Sequence, residues 1–226
     1  MKIALIGNPN SGKSSLFNQL TGLNQKVANF AGVTVEKKTG FLILPNKEKA
    51  QIIDLPGTYS LYPKSLDEQV VLDFLLDKEN TEKPDLILVV TDASNLQRNL
   101  LLFEEVRDLG TPVLLILNMI DLAKQSGWEI DIKKLENLLE VPVVATNARN
   151  GEGILELKTR ILESSKQYEP LLLESLSPHQ KLVEEIQVKF ALENGYIANL
   201  YLHHYERLHF LSDEEKKHLQ KQQIQY

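Results

Sequence analysis

The feature that most constrains how this chain can fold is the stretch Gly7-Asn8-Pro9-Asn10-Ser11-Gly12-Lys13-Ser14. It fits the pattern G-x-x-x-x-G-K-[ST] and stands between a short apolar run, Ile3 to Ile6, and a helical stretch, Ser14 to Leu20. A glycine-rich turn in that setting presents successive backbone amides to an anion at a helix N-terminus. Lys13 supplies a point charge for outer phosphates and Ser14 a hydroxyl ligand for magnesium, while Asn8, Asn10, Ser11, Gly12 and Ser15 complete the binding loop. The alternative is a glycine turn without a ligand, which requires strand, loop and helix to have fallen into register by chance. The motif therefore predicts a strand-loop-helix unit, and with it an α/β sheet bound to a nucleotide.

The remaining pattern agrees as far as residue 168. Apolar, β-branched runs at Lys2 to Ile6, Thr34 to Leu44, Gln51 to Asp54, Leu86 to Thr91, Val113 to Asn118 and Val141 to Ala145 alternate with amphipathic stretches. That alternation predicts a six-stranded, mostly parallel, doubly wound α/β sheet with helices on both faces. The polar link Pro45-Asn46-Lys47-Glu48-Lys49 is too short for a crossover helix, so one edge strand is expected to be antiparallel. Beyond Pro170 the strand-like runs stop. Pro178 to Asn194, Ile197 to Leu208 and Ser212 to Gln222 read as helices, with Ser177-Pro178 and Ser212-Asp213 as starts and Gly195 as a left-handed C-cap. The expected organisation is thus a nucleotide-binding domain over 1–168 and a small helical domain over 169–226. The polar, Gln-rich end carries no cap and reads as a cut within a longer protein.

Charge and composition remove several classes. Lys and Arg number 25 against 31 Asp and Glu, a net charge of −6, which is the wrong sign for a generic binder of nucleic acid. There is no Cys, so disulfides, thiolate zinc sites and thiol catalysis are excluded. No uninterrupted apolar run exceeds five residues, whereas a spanning helix needs about 20. The chain as given therefore reads as soluble and cytosolic.

Three further segments supply chemistry. Asp54-Leu55-Pro56-Gly57 closes the third strand, where a carboxylate can hold a magnesium-bound water and Gly57 can approach a γ-phosphate; taken alone, the same residues make an ordinary turn. Asn118-Met119-Ile120-Asp121 resembles the N-K-x-D guanine motif of GTPases, with Met in place of Lys. A carboxylate at Asp121 accepts both N1 and N2 hydrogens of guanine, while adenine would leave it unpaired. Asn147-Ala148-Arg149 occupies the place of the S-A-K motif, whose backbone amide receives the guanine carbonyl oxygen. Between the first helix and the second strand, Asn29 to Glu36 takes the place of a switch loop, in which Gly32 and Thr34 are the candidate nucleotide contacts and Thr34 the second magnesium ligand.

Taken together, G-N-P-N-S-G-K-S, G-V-T-V-E, D-L-P-G-T-Y-S-L and N-M-I-D resemble the N-terminal cytosolic part of the ferrous iron transport protein B family. The resemblance covers essentially the whole chain. It implies a GTPase domain, a helical domain tied to nucleotide release, and a membrane permease domain of the full-length protein, which places this part at the cytoplasmic face of the cell membrane. It also implies a potassium ion bound by Asn10 and by the backbone carbonyls of Ala28 and Phe30, acting as an arginine finger does. Asn10, Lys13, Thr34 and Gly57 are then the catalytic set.

Other readings stay open at this level. Thr58 follows Gly57 where Ras-like GTPases carry a water-orienting Gln, so a non-catalytic GDP/GTP switch remains a rival. A ribosome-assembly or RNA-modification GTPase is a second rival, although residues 171–226 are acidic, with 6 Lys and Arg against 8 Asp and Glu. Asn10 can instead stabilise its own loop through side-chain to backbone hydrogen bonds. Self-association into a homo-oligomer is not decided. The five His residues, at 179, 203, 204, 209 and 218, carry no expected metal site, and the stripes Leu182, Ile186, Phe190 and Leu200, Tyr201, His204, Tyr205 read as packing.

Overall fold

Runs such as Leu86–Val90 and Val113–Leu117 carry no polar side chain to turn toward water, and every residue in them lies at 0% exposure. Only a sheet covered on both faces provides that environment. The computed structural model describes residues 1–30, 32–164 and 180–223. Its sheet contains β1 (Lys2–Gly7), β2 (Gln25–Asn29), β3 (Glu36–Ile43), β4 (Lys49–Asp54), β5 (Leu86–Asp92), β6 (Val113–Asn118) and β7 (Val143–Ala145), in the order β2-β3-β4-β1-β5-β6-β7. Pairing is parallel from β4 through β7, and β3 runs antiparallel to both of its neighbours.

The sheet has seven strands rather than the six expected, and its antiparallel strand β3 lies one place in from the edge. The edge belongs to β2, whose five residues are all exposed. A strand of Gln-Lys-Val-Ala-Asn buries no apolar face and so leaves no periodicity to read. Its place comes from the ladder with β3, Gln25 opposite Gly40 through Asn29 opposite Glu36. The hairpin between β3 and β4 forms as expected, with Lys47 left-handed at φ 69° and Asn46 Oδ1 accepting the Glu48 amide at 3.0 Å.

Alternation along β1 divides the core. Ile3 and Leu5 face α1 (Lys13–Thr21) and α6 (Ile154–Ser164), packing with Leu16, Phe17, Leu157 and Ile161. Ala4 and Ile6 face α2 (Leu66–Leu76) and α3 (Leu96–Arg107), packing with Val71, Phe103 and Val106. Two short helices, α4 (Ile120–Gln125) and α5 (Ile132–Leu139), complete this part.

The second core continues into α7 (Gln180–Lys189), α8 (Gly195–His204) and α9 (Asp213–Gln223) through Ile186, Leu200, Tyr201 and Leu208. The stripes expected to pack do so. Ser212-Asp213 starts α9 as expected: the Glu215 amide donates to Ser212 Oγ at 3.3 Å, and the Ser212 amide donates back to Glu215 Oε2 at 2.8 Å. Gly195 is not the left-handed C-cap expected. Ala191 takes the left-handed conformation at φ 49°, and Gly195 opens α8 behind Asn194, whose side chain accepts the Ile197 amide at 3.0 Å. Because Asn194 Nδ2 also donates to Asp108 O at 2.9 Å, a helix start anchored to α3 displaces the helix stop that glycine alone suggests. The proposed boundary at 168/169 and the start at Ser177-Pro178 lie outside the described residues, as does Ala31 of the loop after β2.

His204 ends α8 half-buried, its Nε2 without a hydrogen-bond partner. Burial pulls its pKa from 6.5 down to about 4, and the charges of His203 and Arg207 add to the effect. Since the folded value lies below the unfolded one, the unfolded chain takes up this proton first; the contribution to stability is present above pH 6.5 and is lost as the pH falls toward 4. Urea unfolding midpoints measured across that interval should therefore fall less steeply for His204→Gln than for the parent.

Candidate functional site

The loop after β1 is shaped by backbone conformations that few residues adopt. Asn10 has φ 67° and Gly12 φ 81°, and a Cβ on Gly12 would lie 2.2 Å from Asn118 Nδ2. Glycine is required there by the neighbouring side chain as much as by the turn. The Ser11 amide closes the loop on Asn8 O at 3.1 Å, and α1 begins at Lys13. The first turn of α1, Lys13 and Ser14, opens into a cleft.

That cleft, of about 290 Å³, is lined by Lys13, Ser14, Val35, Glu36, Lys38, Asp54, Leu55, Pro56, Gly57 and Asp67. Lys13 Nζ is bonded to Asp54 Oδ1 and to Leu55 O, the latter at 2.5 Å. Asp54 is 7% exposed. Ser14, exposed in the first turn of α1, brings a hydroxyl to the same cleft. An alcohol and a carboxylate are the oxygen donors that a hard divalent cation such as magnesium takes, so this end fits such an ion.

The loop before β3 borders the same cleft. Val35 and Glu36 line the cleft, whereas Thr34 is exposed beside them and Gly32, at φ 75°, has open space around it. Ala28 lies in exposed β2 opposite Lys37. Phe30 is buried against Phe74 with ring centroids 6.0 Å apart; its amide donates to Val35 O at 2.9 Å and its carbonyl accepts from Val33 N at 3.3 Å. Of the expected potassium-binding set, Asn10 is exposed at the loop and Phe30 O is already engaged.

A second, smaller pocket is lined by Gly12, Ser15, Asn118, Met119, Asp121, Leu122, Asn147, Ala148 and Arg149. Residues separated by more than a hundred positions meet here because β1, β6 and β7 end on the same side of the sheet. Asn118 joins them. Its Nδ2 donates to Ser11 O at 2.8 Å, and its Oδ1 accepts from Thr146 Oγ1 at 3.1 Å and from Ala148 N at 3.0 Å. Met119 is left-handed at φ 59°, which turns the chain into α4 and puts Asp121 in its first turn at the pocket wall. The Arg149 amide is held by Asn147 Oδ1 at 3.1 Å.

The segment after Gly57 contains partners that the sequence did not single out. Thr58 is fully buried; its amide donates to Gly7 O at 3.2 Å and its hydroxyl to Ser60 O at 2.7 Å. Its side chain is therefore turned inward. Glu105 of α3 accepts from Ser60 Oγ at 3.0 Å and from the Leu61 amide at 2.6 Å. Burial holds the Glu105 carboxyl above its usual range despite these two bonds. Arg207 donates to Pro63 O at 2.8 Å, and the Tyr62 ring lies edge-on to His204 at 5.0 Å between centroids. A Glu in an amphipathic helix carries no local signal for such a role.

Comparison with known proteins agrees with this geometry. The family model described as ferrous iron transport protein B matches residues 1–161. The Fe(2+) transporter FeoB of Leptospira biflexa is 46% identical over 166 residues, covering 74% of this chain and 23% of that protein. That of Legionella pneumophila strain Paris is 40% identical over 207 residues, covering 90% of this chain and 27% of that protein. The chain thus spans about a quarter of the length of these relatives. Among solved structures, the cytosolic domain of L. pneumophila FeoB superposes with a TM-score of 0.81 at 37% identity, covering 100% of this chain and 89% of that one. The cytosolic domain of the T. maritima FeoB iron transporter in its GMPPNP form gives a TM-score of 0.80 at 35% identity, covering 98% and 92%.

Asn118 and Asp121 lie three positions apart in the matched segment, the first hydrogen-bonded into three loop positions and the second lining the pocket wall. Asn118→Ala strands Ser11 O, Thr146 Oγ1 and Ala148 N and should lower stability by about 2 kcal/mol, whereas Asp121→Ala removes none of these bonds and should cost under about 1 kcal/mol, both read from urea denaturation.

Proposed function

This chain belongs to the ferrous iron transport protein B family, and we propose that it is the part of a ferrous iron transporter that binds and hydrolyses GTP. The observation that carries this reading is the sharing of one loop by two differently built recesses. Lys13, Ser14, Asp54 and Gly57 stand in the open polar cleft, and Asn118, Asp121 and Ala148 line the small pocket on the far side of Gly12. A triphosphate fits the first and a purine the second. Fe(II), in this reading, is cargo of a membrane permease domain to which this part is joined, at the cytoplasmic face of the membrane. Residues 1–168 form the GTPase domain and residues 169–226 a helical domain that couples nucleotide state to transport.

Each residue then has a task. The loop amides from Asn8 to Ser15 cradle the phosphates, with Lys13 leaving Asp54 to pair with the β- and γ-phosphates. Bound magnesium would neutralise phosphate charge, held by Ser14 and Thr34 directly and by Asp54 through water. Gly57 donates its amide to the γ-phosphate, and Gly32 gives the loop before β3 the freedom to close. Asp121 accepts the two guanine N–H groups, Met119 flanks the base, and the backbone of Asn147-Ala148-Arg149 faces its carbonyl oxygen. Asp121→Asn should shift preference from GTP toward xanthosine triphosphate, because an amide donor suits the xanthine C2 carbonyl; competition binding of the two nucleotides reads this directly, and unchanged preference refutes the assignment.

The inward-turned hydroxyl of Thr58 leaves no side chain at the usual water-orienting position, an observation that favours either a cation-assisted reaction or a non-catalytic switch. The cation-assisted reading assigns potassium to Asn10 and to the carbonyls of Ala28 and Phe30, where it would offset charge developing between the β- and γ-phosphates. Hydrolysis measured in magnesium at matched ionic strength should be faster in potassium chloride than in sodium chloride. In Asn10→Ala the stimulation should vanish, at a cost of roughly 10²-fold, the scale of losing one preorganised charge-stabilising group. Equal slow rates in both salts favour the switch.

A further inference from the structure

Residues 58–63 leave the phosphate cleft and run toward α8, and their course is set by three attachments of different kinds. At the near end, Thr58 N donates to Gly7 O at 3.2 Å, and Gly57 packs against the phosphate loop so closely that a Cβ there would lie 3.3 Å from Pro9 Cγ. At the far end, Arg207 donates to Pro63 O at 2.8 Å. In the middle the Thr58 hydroxyl donates to Ser60 O at 2.7 Å from within the segment, and from outside it Glu105 of α3 holds the main chain. Glu105 Oε1 accepts from Ser60 Oγ and Oε2 from the Leu61 amide, at 3.0 and 2.6 Å, while Ser60 Oγ in turn accepts the Tyr62 amide at 3.0 Å. Three consecutive residues thus hang from one carboxylate.

The energetics favour an active rather than incidental role. Glu105 is partly buried, and the groups that favour its charged form are neutral donors, Leu61 N–H and the Ser60 hydroxyl. A carboxylate removed from water loses hydration that these two bonds replace only in part, since burial still holds the carboxyl above its usual range. The segment and the carboxylate therefore stabilise each other: if residues 60–61 move away, Glu105 is left charged and under-solvated on the flank of α3. Leu61 itself is 1% exposed and packs into the core shared with Phe103 and Val106, so the bond to its amide also selects the register in which that side chain is buried. The same segment presents Tyr62 to His203 and His204 of α8.

We propose that Glu105 is a positioning residue for the hydrolytic reaction, holding Ser60 and Leu61 in the register that keeps Gly57 at the phosphate cleft and Tyr62 against α8. It acts through the main chain and touches no nucleotide. The proposal rests on the reading that this chain hydrolyses GTP. Loss of both bonds frees Gly57 to withdraw from the γ-phosphate while the base pocket and the phosphate loop, which Glu105 does not contact, keep their shape.

The test compares the parent, Glu105→Ala and Glu105→Gln by steady-state GTP hydrolysis, by affinity for a fluorescent GDP analogue, by thermal midpoint, and by amide exchange over residues 58–66. Glu105→Ala should lower kcat by about tenfold, the order expected from losing hydrogen bonds to a charged acceptor, with GDP-analogue affinity changed less than about twofold. Amide exchange at Leu61 and Tyr62 should accelerate in the same variant. Glu105→Gln, whose Oε1 can still accept the Leu61 amide and whose Nε2 can donate to Ser60 Oγ, should recover most of kcat and of the protection. Unchanged kcat in Glu105→Ala overturns the proposal, as does a fall in kcat matched by an equal loss of GDP-analogue affinity and by a lowered thermal midpoint in both variants. A parent that binds the GDP analogue but does not hydrolyse GTP refutes the hydrolytic reading itself, an outcome distinct from equal turnover in parent and variant.

Discussion

The site depends on a constraint of the sheet: strands with no polar face must be covered on both sides, and covered strands joined by crossover helices run parallel. β1, β4, β5, β6 and β7 are all of this kind, and their registers bring Gly7 level with Val90, Asp92 level with Asn118, and Leu117 level with Ala145. Parallel strands discharge their following loops at one edge, so the phosphate loop after β1, Asp54 at the end of β4, Asn118 at the end of β6 and Asn147 after β7 have no choice but to converge. Burial of leucine and isoleucine thus assembles polar groups that come from four separate stretches of chain.

Convergence alone leaves loops loose, and the structure tightens them with a few shared acceptors and donors. Asn118 ties the phosphate loop to the loop after β7, and Lys13 ties it to the end of β4. Glu105 of α3 and Arg207 of the turn after α8 do the same for the segment after Gly57. Between them α2 carries contacts to two regions on adjacent residues: Phe74 packs on Phe30 of the loop before β3, and Asp73 pairs with His209 at 2.6 Å. The loop before β3, through α2, and the segment after Gly57 are thus each linked by contacts to α8 or its following turn.

What was legible in the sequence follows from local physics. The phosphate loop was a glycine-bearing motif with a strand before it and a helix after it, all written within the eighteen residues from Ile3 to Leu20. The strands β1, β5 and β6 announced themselves by unbroken apolar runs, and the turn between β3 and β4 by a polar link too short for a helix. Asn118, Asp121 and Ala148 were recognisable by their resemblance to guanine-binding motifs, read beside the phosphate loop, and the pocket brings them together. The helical part was foreseen by the start at Ser212-Asp213 and by the stripes, but not where Gly195 suggested an ending: glycine is ambiguous between a stop and a start, and Asn194, bonded both to Ile197 N and to Asp108 O, decided for a start.

Other features have causes that lie far away along the chain. β2 is a strand only because β3 offers it a ladder, and its residues would read as loop in any other setting. Thr34 was singled out by its place between the first helix and the second strand, whereas the neighbours that line the cleft, Val35 and Glu36, and the packing of Phe30 on Phe74 in the same loop carried no such signal. Glu105 looks like any acidic residue on a helix until the chain forty-four positions earlier is folded beside it. The sequence by itself determined the elements and motifs whose conformational demands are met by near neighbours. Which side chains hold the loops around the phosphates was decided by tertiary structure, because a hydrogen bond between distant residues exists only once the covered sheet has brought them together.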